Sequence, residues 1–359
     1  MRPTRRKNRI LTLTAVATAA MVGMAGPALA CGGVFSTNGE VNLTRTTTLA
    51  AYADGIEHYV TAFEFAGAGG AFGSIVPLPG IPTSVEEGGE WTLQRLVKEV
   101  TPQTRRLESD AVFATAGAPA NVLLETRVGA LDLTVLQGGS DAVGDWAVDN
   151  GFLLSPDAPE VLEFYARRSQ IFLAARFDAA AVVDKGVNVG DGTPVHITIP
   201  TSNPWVPLRI LGLGRVEGEQ IDADVFVLTE VKPTLLAGRD SAGVVLDRQE
   251  PASESLLADL RTDRGMDWLP ESMWLSYLKV AAAPSELTYD LAIDASGAGK
   301  PSAEAAGLLG TDPGETDGGG LLGSEDESGT SGRAVAFVGI GALVLLGVAG
   351  GVALAYRRQ

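Results

Sequence analysis

The sequence predicts an α+β body, a mixed and mainly antiparallel sheet with short helices, followed by one C-terminal transmembrane helix. Three observations carry that expectation. Strand-like and helix-like stretches follow one another irregularly between residues 31 and 294, without the β-α alternation of a doubly wound sheet. Asp54-Gly55 joins two strand-like runs as a two-residue hairpin turn. Near the end, Ala334–Tyr356 carries no charge; as a helix it measures roughly 34 Å, against roughly 30 Å for a bilayer's hydrocarbon core.

Taken in order, the first segment has the layout of a secretory signal over 1–30. Arg2, Arg5, Arg6, Lys7 and Arg9 form a basic start, Ile10–Ala25 an apolar run, and Ala28-Leu29-Ala30 a small-x-small cleavage site. An uncleaved first anchor is the alternative. Leu43–Ala53 and Ile56–Phe65 read as the two strands of the hairpin, rich in Thr, aromatic and β-branched residues. Ser74–Pro82 reads as a short strand ending in prolines. Trp91–Val100 places Trp91, Leu93, Leu96, Val97 and Val100 on one helical face, with Pro102 as the stop. Residues 103–120 are irregular.

Val122–Thr126 and Leu131–Leu136 read as strands. Asp141–Asp149 is a helix with Ser140 as its N-cap and Asn150-Gly151 as its left-handed end. Pro159–Arg168 is a second helix, with Arg167 and Arg168 favourably placed in the last turn. Ile171–Phe177, Val195–Ile199, Leu208–Leu213 and Asp224–Glu230 follow as strands. Residues 233–251 are rich in Pro, Gly and charge. Glu254–Arg261 is a helix, and Trp274–Ala281 and Leu287–Ile293 are the last strands. Residues 295–333 have the composition of a disordered acidic Gly/Ser linker. The apolar 334–356 follows, and 357–359 is a short cytoplasmic tail.

Charge places the parts. The chain has 27 basic and 44 acidic residues. Five of the basic ones fall in 1–30 and two after 356, so the exported portion 31–333 carries 20 basic against 44 acidic residues, a net −24. Such a body repels nucleic acid and anionic headgroups, and leaves divalent cations or basic partners open. Arg357 and Arg358 against Arg333 fit the positive-inside rule. The expected location is therefore the cell membrane, single-pass, with the body outside and the C-terminus in the cytoplasm. One cysteine permits no intramolecular disulfide, so stability must come from a core.

Several stretches together resemble the DUF2330 family of uncharacterised exported, membrane-anchored bacterial proteins. They are Cys31-Gly32-Gly33, Phe72–Pro79, Leu133-Thr134-Val135-Leu136 followed by Trp146–Phe152, Tyr165 ahead of Phe172, and Pro204–Ile210. Family members often place a second cysteine shortly after the first; Ser36 stands there here. The resemblance implies an anchored extracytoplasmic domain over 31–294 and no particular chemistry.

Candidate chemistry is sparse. Cys31 is the expected mature N-terminus, either plain or diacylated. His58 and His196, the only histidines, lie far apart in strand-like segments; a zinc site needs three or four ligands, so they read as ordinary strand residues. No nucleophile elbow, phosphate loop or dinucleotide fingerprint stands out. No catalytic residue, metal ligand or cofactor is assigned. Trp146, Asp149, Asn150 and Trp205 are candidates for lining a ligand cleft, or a core tryptophan, a helix end and a buried corner. Gly347, Gly351 and Ala355 recur every four residues and suit weak pairing of two membrane helices. The functional expectation is a membrane-anchored envelope protein that binds an unidentified protein or ligand, or is structural; a carboxylate-dependent envelope hydrolase is the alternative.

Overall fold

The seven-stranded sheet is the element against which everything else is placed. The computed structural model describes residues 33–36, 46–62, 72–89, 91–101, 121–128, 131–177, 194–237, 242–308 and 321–322, all within one compact unit, Met1–Gly323. In chain order the first elements are β1 (Gly33–Ser36), β2 (Thr46–Ala53), β3 (Ile56–Ala62), β4 (Phe72–Pro77), β5 (Ser84–Glu87) and α1 (Thr92–Val100). Then come β6 (Asn121–Val128), β7 (Leu131–Gln137), α2 (Ser140–Asp149), α3 (Ala158–Ala166), β8 (Ile171–Phe177), β9 (Pro194–Pro200) and β10 (Trp205–Val206). The last are β11 (Ile221–Thr229), β12 (Thr234–Leu236), β13 (Val244–Pro251), α4 (Glu254–Leu260), β14 (Trp274–Ala282), β15 (Leu291–Asp294) and β16 (Leu321–Leu322).

The described strands form three sheets. The large one has the order β13-β14-β11-β2-β3-β9-β5; the others are β1-β4-β8-β7-β6 and β10-β15-β12-β16. Among the described pairings only β2 with β11 is parallel. The β2–β3 hairpin turns on Asp54 (φ 50°) and Gly55 (φ 80°), both left-handed, the turn whose twist suits paired strands.

Period-2 alternation sends each strand of the large sheet into two cores. Tyr59, Ile197, Val225 and Leu278 face inward, against Leu133, Val135 and Leu173 of the five-stranded sheet and Leu235, Leu291 and Ile293 of the four-stranded one. Leu49, Ala51, Val60, Phe226 and Leu228 face outward, under Leu93 and Leu96 of α1 and Leu256, Leu257 and Leu260 of α4. The third core lies where α2 and α3 cover Ile75, Leu136 and Phe172 of the five-stranded sheet and Leu236 and Ala292 of the four-stranded one. The two outer helices are tied by Arg95 of α1, which donates to Asp259 of α4 at 2.7 Å.

These findings correct several expectations. The α+β body is replaced by a mainly β architecture with four short α-helices among the described residues, because Ser84–Glu87, Thr234–Leu236 and Val244–Pro251 are further strands. Among the described residues no helix is long and apolar enough to cross a membrane. The stretch 334–356 lies outside the described residues, as do 1–30, 103–120 and most of 309–333. Leu208–Leu213 is not a strand but a 3-10 turn over Arg209–Gly212: the amides of Leu208 and Arg209 are taken by the Asp290 carboxylate instead of a neighbouring strand. Ser140 is the first helical residue of α2, not its cap, and its hydroxyl donates to Glu163 at 2.9 Å. Residues 295–308, expected in a disordered linker, are folded: Ala305 and Ala306 are buried in the third core, and Leu321–Leu322 pairs with β12.

Nothing lies within 4 Å of a Cβ built at Gly55, so only its backbone conformation resists substitution. Gly55→Ala should therefore cost about 1–2 kcal/mol, read as a drop of a few degrees in melting temperature with the circular dichroism spectrum unchanged.

Candidate functional site

β3 presents consecutive residues to opposite faces of the large sheet, and both faces are buried. Outward goes His58; inward goes Glu57. The register Val60↔His196 and His58↔Thr198 makes His58 and His196 diagonal neighbours on the outward face. Their rings meet, His58 Nδ1 lying 2.9 Å from His196 Nε2, although the residues are 138 positions apart in sequence. One ring must donate and the other accept, so at least one is neutral.

The segment Thr262–Leu269 runs over the pair. Trp268 stacks on His58 at 3.5 Å between ring centroids and 7° between planes. Gly265 (φ 74°) sits so close to His196 that a Cβ there would meet Nδ1 at 2.9 Å. Met266 and Leu269 are buried in the core under α1 and α4. Asp263 fixes the segment's start: it accepts hydrogen bonds from the amides of Trp91 (3.2 Å), Thr92 (2.8 Å) and Arg264 (3.0 Å) and from the Thr92 hydroxyl (2.7 Å). It thereby caps the N-terminus of α1, which has no cap of its own, and its charge suits that end of the helix dipole. Arg264 forms an ion pair with Glu87 of β5.

Burial lowers the pKa of both histidines. That of His58 falls to about 3, with His196 beside it adding to the effect. That of His196 falls to about 4, although the Asp267 carboxylate pulls the other way. Both rings are neutral at neutral pH.

Glu57 is fully buried between the sheets. Neither carboxyl oxygen has a well-formed hydrogen bond among the described residues. The backbone of Trp205 comes near enough to favour the charged form slightly, but burial dominates and raises the pKa to about 8. At neutral pH Glu57 is a neutral acid.

A third polar group lies under α3. Asp290, fully buried, accepts from Tyr165 (2.8 Å), the amides of Leu208 (2.7 Å) and Arg209 (3.0 Å), and Arg168 (2.5 Å). Arg168 also donates to the carbonyl of Ala305 at 2.6 Å and stands over the rings of Phe164, Tyr165 and Trp205.

The residues singled out from sequence fall as follows. Trp146 is buried beside Phe152 and Trp205 is stacked on Tyr165, both in the core under α2 and α3. Asp149 is exposed at the end of α2. Asn150 follows it and donates to the carbonyl of Trp146 at 2.9 Å. Cys31, Gly347, Gly351 and Ala355 lie outside the described residues. Sequence reasoning missed Trp268, Glu57, Asp263 and Asp290. The available signal was that the only two histidines both stand in alternating strands, one of them next to an acid.

Residues 25–234 match the family DUF2330, described as an uncharacterized protein conserved in bacteria. The chain belongs to this family. His58, His196 and Glu57 fall inside the matched region; Asp263, Trp268 and Asp290 fall beyond it. No curated protein matches the chain in sequence. Among solved structures, baculovirus P35 is 10% identical over 73% of this chain and 94% of its own, with a TM-score of 0.38. A chain of the caspase-8/P35 complex gives 10% identity, 70% and 95% coverage and 0.36. A mutated baculovirus P35 after caspase cleavage gives 8%, 70%, 99% and 0.35.

Stability should fall on both sides of neutral pH. Unfolded histidines take up a proton near 6.5, but the folded pair does so only near 4 and 3, so acid favours the unfolded chain across that window. Unfolded Glu57 loses its proton near 4.5, but folded Glu57 holds it to about 8, so stability also falls as pH rises between those values. Urea midpoints across pH should show Glu57→Gln more stable than the native chain above about pH 8 and closer to it below about pH 4.5. Asp290→Asn strips the largely covered Arg168 of its counter-charge and should cost about 3–5 kcal/mol in the same assay.

Proposed function

We propose that this protein is an exported cell-envelope module that binds or supports a partner. In this reading residues 1–30 direct export. The apolar stretch 334–356 attaches the chain to the membrane, the body lies outside and the C-terminus stays in the cytoplasm. The net −24 of residues 31–333 favours basic or cationic partners over nucleic acid.

The observation that supports a binding or structural role is how the buried carboxylates are used. Asp290 and Asp263 each take four donors. Asp294 takes three, from the amide and hydroxyl of Ser296 and the amide of Lys300. Asp290 and Asp263 join separate pieces of the chain, and Asp294 closes the turn that follows it, as structural ties do. A glycosidase-type hydrolase instead needs two acids flanking a substrate, about 5–9.5 Å apart. Glu57, whose proton is held unusually tightly, lies in a packed interior that a substrate does not reach.

Fractionation of cells expressing the full chain tests the placement. The full chain should sediment with membranes and be cut by protease added to cells stripped of any outer wall. A chain ending at Gly323 should be released in soluble form. Recovery of the full chain in the cytosol, protected from that protease, would overturn the reading.

A further inference from the structure

We infer that His58 and His196 are two ligands of a site for one late first-row divalent metal ion, of the copper class, completed by the Glu86 carboxylate. This concerns the folded body alone and stands whether or not the chain is attached to a membrane.

The argument begins with distance. Imidazole nitrogens bind such ions at roughly 2.0–2.1 Å. Two nitrogens at a right angle around one ion are then about 2.9 Å apart, and at the tetrahedral angle about 3.4 Å. His58 Nδ1 and His196 Nε2 are 2.9 Å apart. The pair therefore suits the tetragonal preference of Cu²⁺ or Ni²⁺ before the tetrahedral preference of Zn²⁺.

A hydrogen bond has the same length, so the surroundings must decide. Both rings stand on paired strands of a sheet covered on both faces, and their spacing is set by the β3–β9 register. Trp268 fixes the plane of the His58 ring, and Gly265 holds the strap close over His196. That is preorganisation, which a chelate uses and a casual surface pair lacks. A carboxylate stands on the adjoining strand, at a position on the same face as His196. Glu86 is the register partner of His196 across β5 and β9, and its side chain is exposed. The negative charge of Asp267 also reaches His196 and favours a cation there. Among the described residues no three such groups are already gathered. A rotation of Glu86 supplies the third.

Binding balances without releasing a proton. The hydrogen shared between the two rings leaves the inner nitrogen of the ring that carries it and passes, through solvent, to that ring's outer nitrogen. Both inner lone pairs are then free for the ion, and both rings remain neutral.

The test is titration of the full chain with Cu²⁺, in a Cys31→Ser background so that the thiol neither binds nor reduces the ion. One Cu²⁺ per chain should bind, with an electron paramagnetic resonance spectrum split by two nitrogens and with quenching of tryptophan fluorescence. His58→Gln and His196→Gln should each lose one nitrogen from the spectrum. Glu86→Gln, at an exposed position that leaves the core intact, should weaken binding by at least about tenfold, and Zn²⁺ should bind less tightly than Cu²⁺. Absence of binding, or binding and spectra unchanged in the histidine variants, would overturn the site; unchanged affinity in Glu86→Gln would overturn the role of Glu86.

Discussion

The parallel pairing of β2 with β11 is the contact on which the architecture depends. It joins β3, β9 and β5 on one side to β14 and β13 on the other. Residues 46–52 thereby meet residues 223–229, a closure that local turns cannot make. The sheet so formed is buried on both faces. Its central strands are therefore almost wholly buried, and any polar side chain on them must be accommodated without water.

Accommodation takes several forms, and Asp224 of β11 accepts from the Tyr277 hydroxyl of β14 at 2.6 Å. Thr48 and Thr61 share a hydrogen bond across the hairpin. His58 and His196 meet each other, each neutral, under a tryptophan plane. Glu57 finds no adequate partner among the described residues and keeps its proton instead. Two buried carboxylates outside the large sheet gather several donors each: Asp263 holds the strap to α1, and Asp290 holds α3 to the turn after β10. Buried charge is stable where several donors converge and is neutralised where they do not.

What could be read from sequence follows the range of the forces. The Asp54-Gly55 hairpin was legible because two adjacent residues need left-handed backbone. β8 was legible from the apolar run Ile171–Ala175 at its start. β5 and β13 were not, since Ser-Val-Glu-Glu and Val-Val-Leu-Asp-Arg-Gln-Glu-Pro lie at sheet edges and carry the polar residues of loops. The fold of 295–308 was hidden because its apolar contribution comes from alanines within a polar, Gly-rich composition. The histidine pair was illegible for a different reason. Each ring lies in an ordinary strand, and only the alignment of β3 with β9 brings them together.

The irregular edge of the large sheet has a consequence for life among many copies. β13 departs from register between Leu246 and Arg248, then runs through Arg248 and Glu250 to Pro251. The opposite edge, β5, is four residues long and ends in two glutamates. A bulge, interspersed charges and a proline deny a neighbouring chain the flat row of amides and carbonyls it would need to add a strand. A sheet otherwise rich in valine, leucine and alanine is thus kept from serving as a template for fibrils in a crowded compartment.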